Sequence, residues 1–140
     1  MFNKEFFIGL STIFGWTPGL ILSLAALFST ITGILSLFNH GWFEGIALIL
    51  IGVMGILGFI AMSAICWGLN LSLRKKVAFL MCGVISLLVV SATGFSGSVD
   101  WFHLNLSWVN FYLYLSPLVV GIIHLVIHVH LYRKAASQGD

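Results

Sequence analysis

Charge is the property that this sequence has least of. Only 7% of the 140 residues are Asp, Glu, Lys or Arg, and 60% are hydrophobic, whereas a soluble domain carries about 25% charged residues. This shortage excludes an ordinary soluble globular domain. The six basic residues sit beside long apolar runs, where they indicate membrane topology, so no nucleic-acid partner is expected.

Cysteine and catalytic patterns are also scarce. Cys66 and Cys82 form no CxxC pair, so a thiol oxidoreductase or thiolate metal site is not expected, and we interpret both as small packing residues. The sequence has no nucleophile-plus-base pattern, phosphate-binding glycine loop or extramembrane domain. The apolar runs contain no carboxylate or basic residue, so the usual proton- or sodium-coupling groups are missing. The chain is therefore not expected to be an enzyme on its own.

Long apolar runs are what the sequence does contain. Four intervals have no charged residue, namely 6–43, 45–73, 77–99 and 101–132. Each is long enough for the roughly 20 apolar residues that cross a bilayer. We predict an all-α integral membrane protein with an antiparallel bundle of four transmembrane helices. The predicted spans cover about 19–38, 45–69, 77–95 and 116–132, in a single membrane domain.

The distribution of charge predicts the orientation of this bundle. Basic residues occur at Lys4, in the run 74–76 and at Arg133-Lys134, whereas Glu44 and Asp100 lie in the two remaining loops. Because positive charge collects on the cytoplasmic side, both termini and the middle loop are predicted to be cytoplasmic. The expected location is the bacterial inner membrane.

Two segments outside the spans have an amphipathic pattern. Residues 2–16 place Phe2, Phe6 and Leu10 on one helical face, which predicts a short interfacial helix. The alternative is that this segment extends the first span. Residues 98–115 are rich in aromatic side chains and predict a second interfacial helix on the outer face, with a short extended segment as the alternative.

Small residues mark the expected helix contacts. Glycine lets helix backbones approach closely where no hydrophobic force drives association. The helix-packing glycines that we predict are Gly52, Gly55, Gly58, Gly83 and Gly121.

The last span carries two histidines at helical spacing. His124 and His128 are four residues apart and share a face, whereas His130 points to roughly the opposite side. An ionisable group at this depth is a functional hypothesis by default. Together with Ser86 and Thr93 these histidines form a candidate intramembrane polar site. They are predicted to fix helix packing, with metal or haem binding and proton transfer as alternatives, and a symmetric dimer would supply His124 twice to a haem.

A second group of potential ligands lies on the predicted outer surface. It combines two imidazoles and two carboxylates, and the residues are His40, Glu44, Asp100 and His103. Such a set is competent for zinc or copper if the two outer loops meet. The alternative is that these are ordinary solvated loop residues.

These observations favour a non-catalytic role. We expect a subunit or accessory protein of a membrane complex, which contacts the lipid bilayer and either a second copy or a larger membrane protein. One alternative is a metal- or haem-binding protein that uses either histidine set, with haem or a divalent metal as the cofactor. Another is a small solute or ion pathway. Its lining would come from Ser29, Thr32, Ser86, Thr93 and His124.

Overall fold

The computed structural model describes residues 4–39, 41–93 and 111–137, and all regular structure in these ranges is helical. The elements are α1 (Lys4–Ser11), a first π-turn (Thr12–Trp16), α2 (Thr17–Phe38), α3 (Trp42–Cys66), α4 (Leu73–Thr93), a second π-turn (Phe111–Leu115) and α5 (Ser116–Ala136).

Three helices in the described ranges are long and apolar enough to cross a membrane, namely Glu5–Phe38, Trp42–Cys66 and Tyr112–Lys134. The remaining long helix, α4, carries the basic run 74–76 in its first turn, so its apolar part begins only at Val77. The outside of the helices is strongly apolar, with Phe28 73% and Phe43 88% exposed. A surface of this kind suits contact with lipid chains, and it indicates association with a membrane.

The N-terminal segment departs from the prediction of a separate interfacial helix. Over its described part, residues 4–16 continue without a break into α2, so Glu5–Phe38 is one helix of 34 residues. The first π-turn allows this continuity, because the Thr17 N–H bonds to the Thr12 carbonyl immediately before Pro18. At 1.5 Å per residue the helix is about 51 Å long, well beyond a hydrocarbon layer of about 30 Å.

Two other predicted boundaries also shift. The second span was expected to reach residue 69, but α3 ends at Cys66. Gly68 follows with φ +66°, a left-handed conformation that favours glycine and ends a helix. Of the segment 98–115, only 111–115 is described. These residues form the second π-turn, which leads directly into α5.

Helices α2 and α3 are antiparallel neighbours in close contact. Near one end of the pair, a Cβ placed on Gly33 would lie 2.7 Å from the Gly45 carbonyl oxygen. Near the other end, Gly19 faces the Phe59 ring. The numbering rises in one helix as it falls in the other, as a short connection requires.

Helices α3 and α4 form the next antiparallel pair. A Cβ placed on Gly83 would lie 2.6 Å from the Gly58 Cα, so the two backbones touch there. Further along, the Ser86 hydroxyl donates to the Ile51 carbonyl at 2.9 Å. Helix α5 packs against α4 in turn, with Gly121 facing Val84.

The bundle closes where the two π-turns meet. The Tyr112 hydroxyl donates to the Ile13 carbonyl at 2.8 Å. The Ser116 hydroxyl lies within hydrogen-bonding distance of two carbonyls, that of Phe14 at 2.7 Å and that of Tyr112 one turn earlier. The Phe14 and Tyr112 rings also meet edge to face, with centroids 6.3 Å apart. Each π-turn is followed by Thr or Ser and then a buried proline, Pro18 or Pro117. We call this contact, between 12–18 and 111–117, the proline joint.

Candidate functional site

His124 lies inside the bundle, where α5 meets α1. Its side chain is only 4% exposed. The Nε2 atom lies 2.9 Å from the Ser11 Oγ, and the Phe7 ring packs against the imidazole with centroids 5.3 Å apart. Since Phe7 and Ser11 are one turn apart on α1, the continuous N-terminal helix brings both of them to His124.

The hydrogen bonds around Ser11 favour one tautomer of the neutral His124 ring. The Ser11 hydroxyl lies 2.8 Å from the Phe7 carbonyl, to which it donates its single proton. With that proton used, Ser11 accepts from His124, an arrangement that favours the tautomer with the proton on Nε2. The Nδ1 atom is then a bare acceptor, and in the described residues it is buried without a hydrogen-bond partner. Most buried polar atoms in proteins make a hydrogen bond, so an unpaired one is unusual.

His128 lies beside His124, as its spacing predicts. The ring centroids are 5.9 Å apart. The Nδ1–H of His128 donates to the His124 carbonyl at 2.8 Å, so its Nε2 is the acceptor atom of a neutral ring. Each of the two neutral side chains therefore has one unprotonated ring nitrogen. His130 is exposed, in keeping with its expected position away from this pair.

The other members of the predicted polar site are placed elsewhere. The Ser86 side chain bonds to Ile51 of α3 rather than to His124. The Thr93 side chain lies outside the described residues. The partner that the structure gives to His124 is Ser11, which lies in the segment 2–16 that was predicted to form an interfacial helix.

The outer ligand set falls largely outside the described residues. Glu44 is exposed in the first turn of α3, whereas His40, Asp100 and His103 are not described. Within the described ranges, no three His, Cys, Asp or Glu side chains come close enough together to hold a metal ion.

The predicted packing glycines do lie between helices. Gly58 and Gly83 bring two backbones into contact, and a Cβ on Gly52 would collide with Thr30 and the Ala26 carbonyl. The remaining two positions are looser. A Cβ on Gly55 would lie 3.1 Å from the Ala26 side chain, and one on Gly121 would lie 3.4 Å from Val84.

A cavity of about 220 Å³ lies beside these looser contacts. We call it the central cavity, because α2, α3, α4, α5 and both π-turns contribute to its wall. Gly15 and Tyr114 are the contributions of the first and second π-turns. Ser86 also lines the cavity, whereas His124 is not among the described lining residues. The cavity and the His124 pair are therefore separate features.

Comparisons with protein families, with curated proteins and with solved structures give no match to this chain, so its function has to be argued from its own residues.

Proposed function

We propose that this chain is a non-catalytic subunit or accessory protein of a membrane complex. The proposal rests on the hydrogen bonds that its inward-facing polar side chains make to neighbouring helices. Ser29, Ser86 and Tyr112 each donate to a backbone carbonyl of another element, and Trp16 donates to Ser63 of α3. Hydrogen bonds of this kind hold helices together, and they leave few groups free to act on a substrate.

We further propose that all four helical segments cross the cytoplasmic membrane with both termini inside. The antiparallel order of the helices supports this orientation. It places the start of α1, the loop 67–72 and the end of α5 at one end of the bundle, and the basic residues lie at this end. Glu44 lies at the opposite end, at the start of α3.

Cysteine labelling tests the orientation. In a background with Cys66→Ala and Cys82→Ala, a membrane-impermeant maleimide should label Asn39→Cys in intact spheroplasts. It should label Ser72→Cys only after the membrane is permeabilised. Both positions are exposed in the structure, so they form a matched pair. Labelling of Ser72→Cys alone in intact spheroplasts would reverse the proposed topology.

The partner of such a subunit would bind a face of the bundle that does not contain the most tightly packed glycines. Gly52, Gly58 and Gly83 are already occupied by neighbouring helices of the same chain. Crosslinking in native membranes, followed by mild solubilisation and size separation, tests this role. We expect reproducible crosslinks either to a second copy or to one larger membrane protein. A lone monomer that captures nothing reproducibly would contradict the proposal.

Metal or haem binding at His124 and His128 is a second candidate, because each neutral ring presents a bare nitrogen there. Burial of His124 argues against a haem shared across a symmetric dimer, since a side chain that is 4% exposed cannot reach a second copy without a rearrangement. An optical spectrum and elemental analysis of one size-resolved sample test this candidate. Stoichiometric metal that is lost in His124→Asn and His128→Asn would support it, and a colourless, metal-free sample would exclude it.

The structure gives less support to the hypothesis of a solute or ion pathway. Ser29 and Ser86 line the central cavity, but their protons are directed to the Leu48 and Ile51 carbonyls. Thr32 is exposed on the outside of α2 and bonds within its own helix. Flux measured in liposomes remains the test of this role.

A further inference from the structure

The central cavity has a wall that suits hydrocarbon. Three serine side chains line it, and all three of their hydroxyls donate to backbone carbonyls. These are the hydroxyls of Ser23, Ser29 and Ser86. Most of the remaining wall is aliphatic, aromatic or glycine. A trapped water needs two to four polar partners, whereas an apolar cavity stays dry and takes up apolar molecules.

The volume of the cavity indicates what fits inside it. An engineered apolar cavity of about 150 Å³ holds benzene, so 220 Å³ has room for about nine carbon atoms at the same density. This is a segment of a hydrocarbon chain rather than a complete lipid. The remainder of such a ligand must extend out of the bundle.

The position of Ala25 shows where the chain would leave. Ala25 lines the cavity and is also exposed on the surface of α2. Its neighbours Leu24 and Phe28 are 63% and 73% exposed. They belong to a helix that is apolar enough to cross a membrane, so this opening faces lipid rather than water.

The helix geometry around the cavity is also unusual. Both π-turns border it, through Gly15 and Tyr114. Single π-turns are rare, and they often occur at functional sites because they redirect side chains. Tyr114 adds a fourth hydroxyl-bearing side chain to the wall, and within the described chain its hydroxyl makes no hydrogen bond.

We propose that the central cavity binds one hydrocarbon chain of a membrane lipid, which enters beside Ala25 and packs between the two π-turns. The chain belongs either to an acyl lipid or to an isoprenoid lipid, since both have the same apolar chemistry. The site does not depend on whether the protein has a protein partner. It adds a ligand to a molecule that otherwise has a structural role.

Photolabelling of the full-length protein in liposomes tests the site. One arm uses a phosphatidylcholine with a diazirine in one acyl chain, and the other uses an isoprenoid alcohol with a diazirine in its tail. Mapping of the adducts should find them on Tyr114 and Leu22, which line the cavity, as well as on Phe28, which faces the surrounding lipid and serves as the reference. The probe that gives this pattern identifies the class of lipid.

Two variants fill the site from different helices. Ala25→Phe blocks the opening on α2, and Val90→Phe reduces the volume from α4. Each should lower the labelling of Tyr114 about tenfold, because an overpacked cavity excludes the chain. Ala78→Phe is the control, since Ala78 is an exposed alanine of α4 outside the cavity wall. Circular dichroism and size-exclusion elution confirm that each variant folds.

Two results would overturn the proposal. One is labelling of Phe28 without adducts on Tyr114 or Leu22, with both probes in the unmodified protein, a comparison that does not require either variant to fold. The other is labelling of Tyr114 that persists at full yield in well-folded Ala25→Phe and Val90→Phe.

Discussion

Helices α2, α3 and α4 make their closest approaches to one another at glycines. The contact of α5 with the N-terminal part of the chain also includes a glycine, Gly15 against Val120, but hydrogen bonds are its main feature. At Gly58 and Gly83 the two backbones touch, and a single added Cβ would lie 2.6 Å from the opposite Cα. At the proline joint, hydroxyls bond to the carbonyls of Ile13 and Phe14. The first kind of contact depends on shape, and the second depends on satisfying polar groups inside an apolar bundle.

The two kinds of contact are therefore disrupted by different substitutions. A glycine contact is disrupted by a larger side chain, because the two backbones are already in van der Waals contact. A hydrogen-bonded contact fails when a side chain loses its polar atom, and the loss is small if the partner finds another donor. The following predictions use this difference, in order of decreasing effect.

Adding one methyl group should distinguish tight glycines from loose ones. Gly83→Ala forces α3 and α4 apart and should lower the free energy of unfolding by about 3 kcal/mol. Gly121→Ala is the matched control, since its Cβ would lie 3.4 Å from Val84. It should be neutral or stabilising by up to about 1 kcal/mol, because alanine favours helix. Denaturant unfolding in one detergent measures both variants, and equal losses would refute the assigned contact.

Removal of the Ser11 hydroxyl should reveal the buried bond to His124. Ser11→Ala leaves the His124 Nε2–H without an acceptor, so we expect a loss of about 1–2 kcal/mol. Adding His124→Leu should recover much of this loss, because both polar partners are then absent. Thr32→Ala is the control, since Thr32 bonds only within its own exposed helix. Additive single effects in this double-mutant cycle would show that the two side chains are not coupled.

Removal of the Ser116 hydroxyl tests the proline joint itself. Ser116→Ala removes the hydroxyl that lies within bonding distance of both the Phe14 and the Tyr112 carbonyls. It should cost about 1 kcal/mol or less, as is usual for hydrogen bonds between membrane helices. Hydrogen exchange should increase locally in residues 12–17 while α3 stays protected. An unchanged exchange rate at the first π-turn would show that this bond does not hold the joint.

The smallest effect is expected at Trp16, whose Nε1–H donates to the Ser63 hydroxyl at 3.0 Å. Trp16→Phe removes this bond but preserves an aromatic ring against Phe59 and Trp67. We expect a loss of about 0.6 kcal/mol. A further Ser63→Ala substitution should then have almost no effect, and a second loss of equal size would contradict this pairing.

The sequence predicts the features that depend on local periodicity. Helical spacing places His124 and His128 on one face, and their rings are indeed neighbours. Small residues at close spacing predict close helix contacts, and Gly58 and Gly83 do meet. Both conclusions follow from helix geometry alone, because the partners are either one turn apart or identified by their lack of a side chain.

Features that depend on long-range register could not be predicted. Ser11 and His124 are 113 residues apart, and nothing local indicates that one faces the other. The predicted starts of the first and last spans, at about 19 and 116, also rest on local rules. In both places the helix instead continues from a π-turn. The shared pattern of aromatic residues followed by Ser or Thr and Pro was the available signal, but its meaning depends on the two segments meeting.

The first π-turn also sets the rotation of everything that precedes it. An α-helix turns by about 100° per residue, and the wider turn at Thr12–Trp16 accommodates one residue more than regular α-helical geometry would. If all five residues of this turn took regular α-helical geometry instead, α1 would rotate by about 100° about its axis relative to α2. Ser11 would then point away from His124 although no contact residue had changed. The π-turn therefore decides which face of the N-terminal helix the rest of the bundle meets.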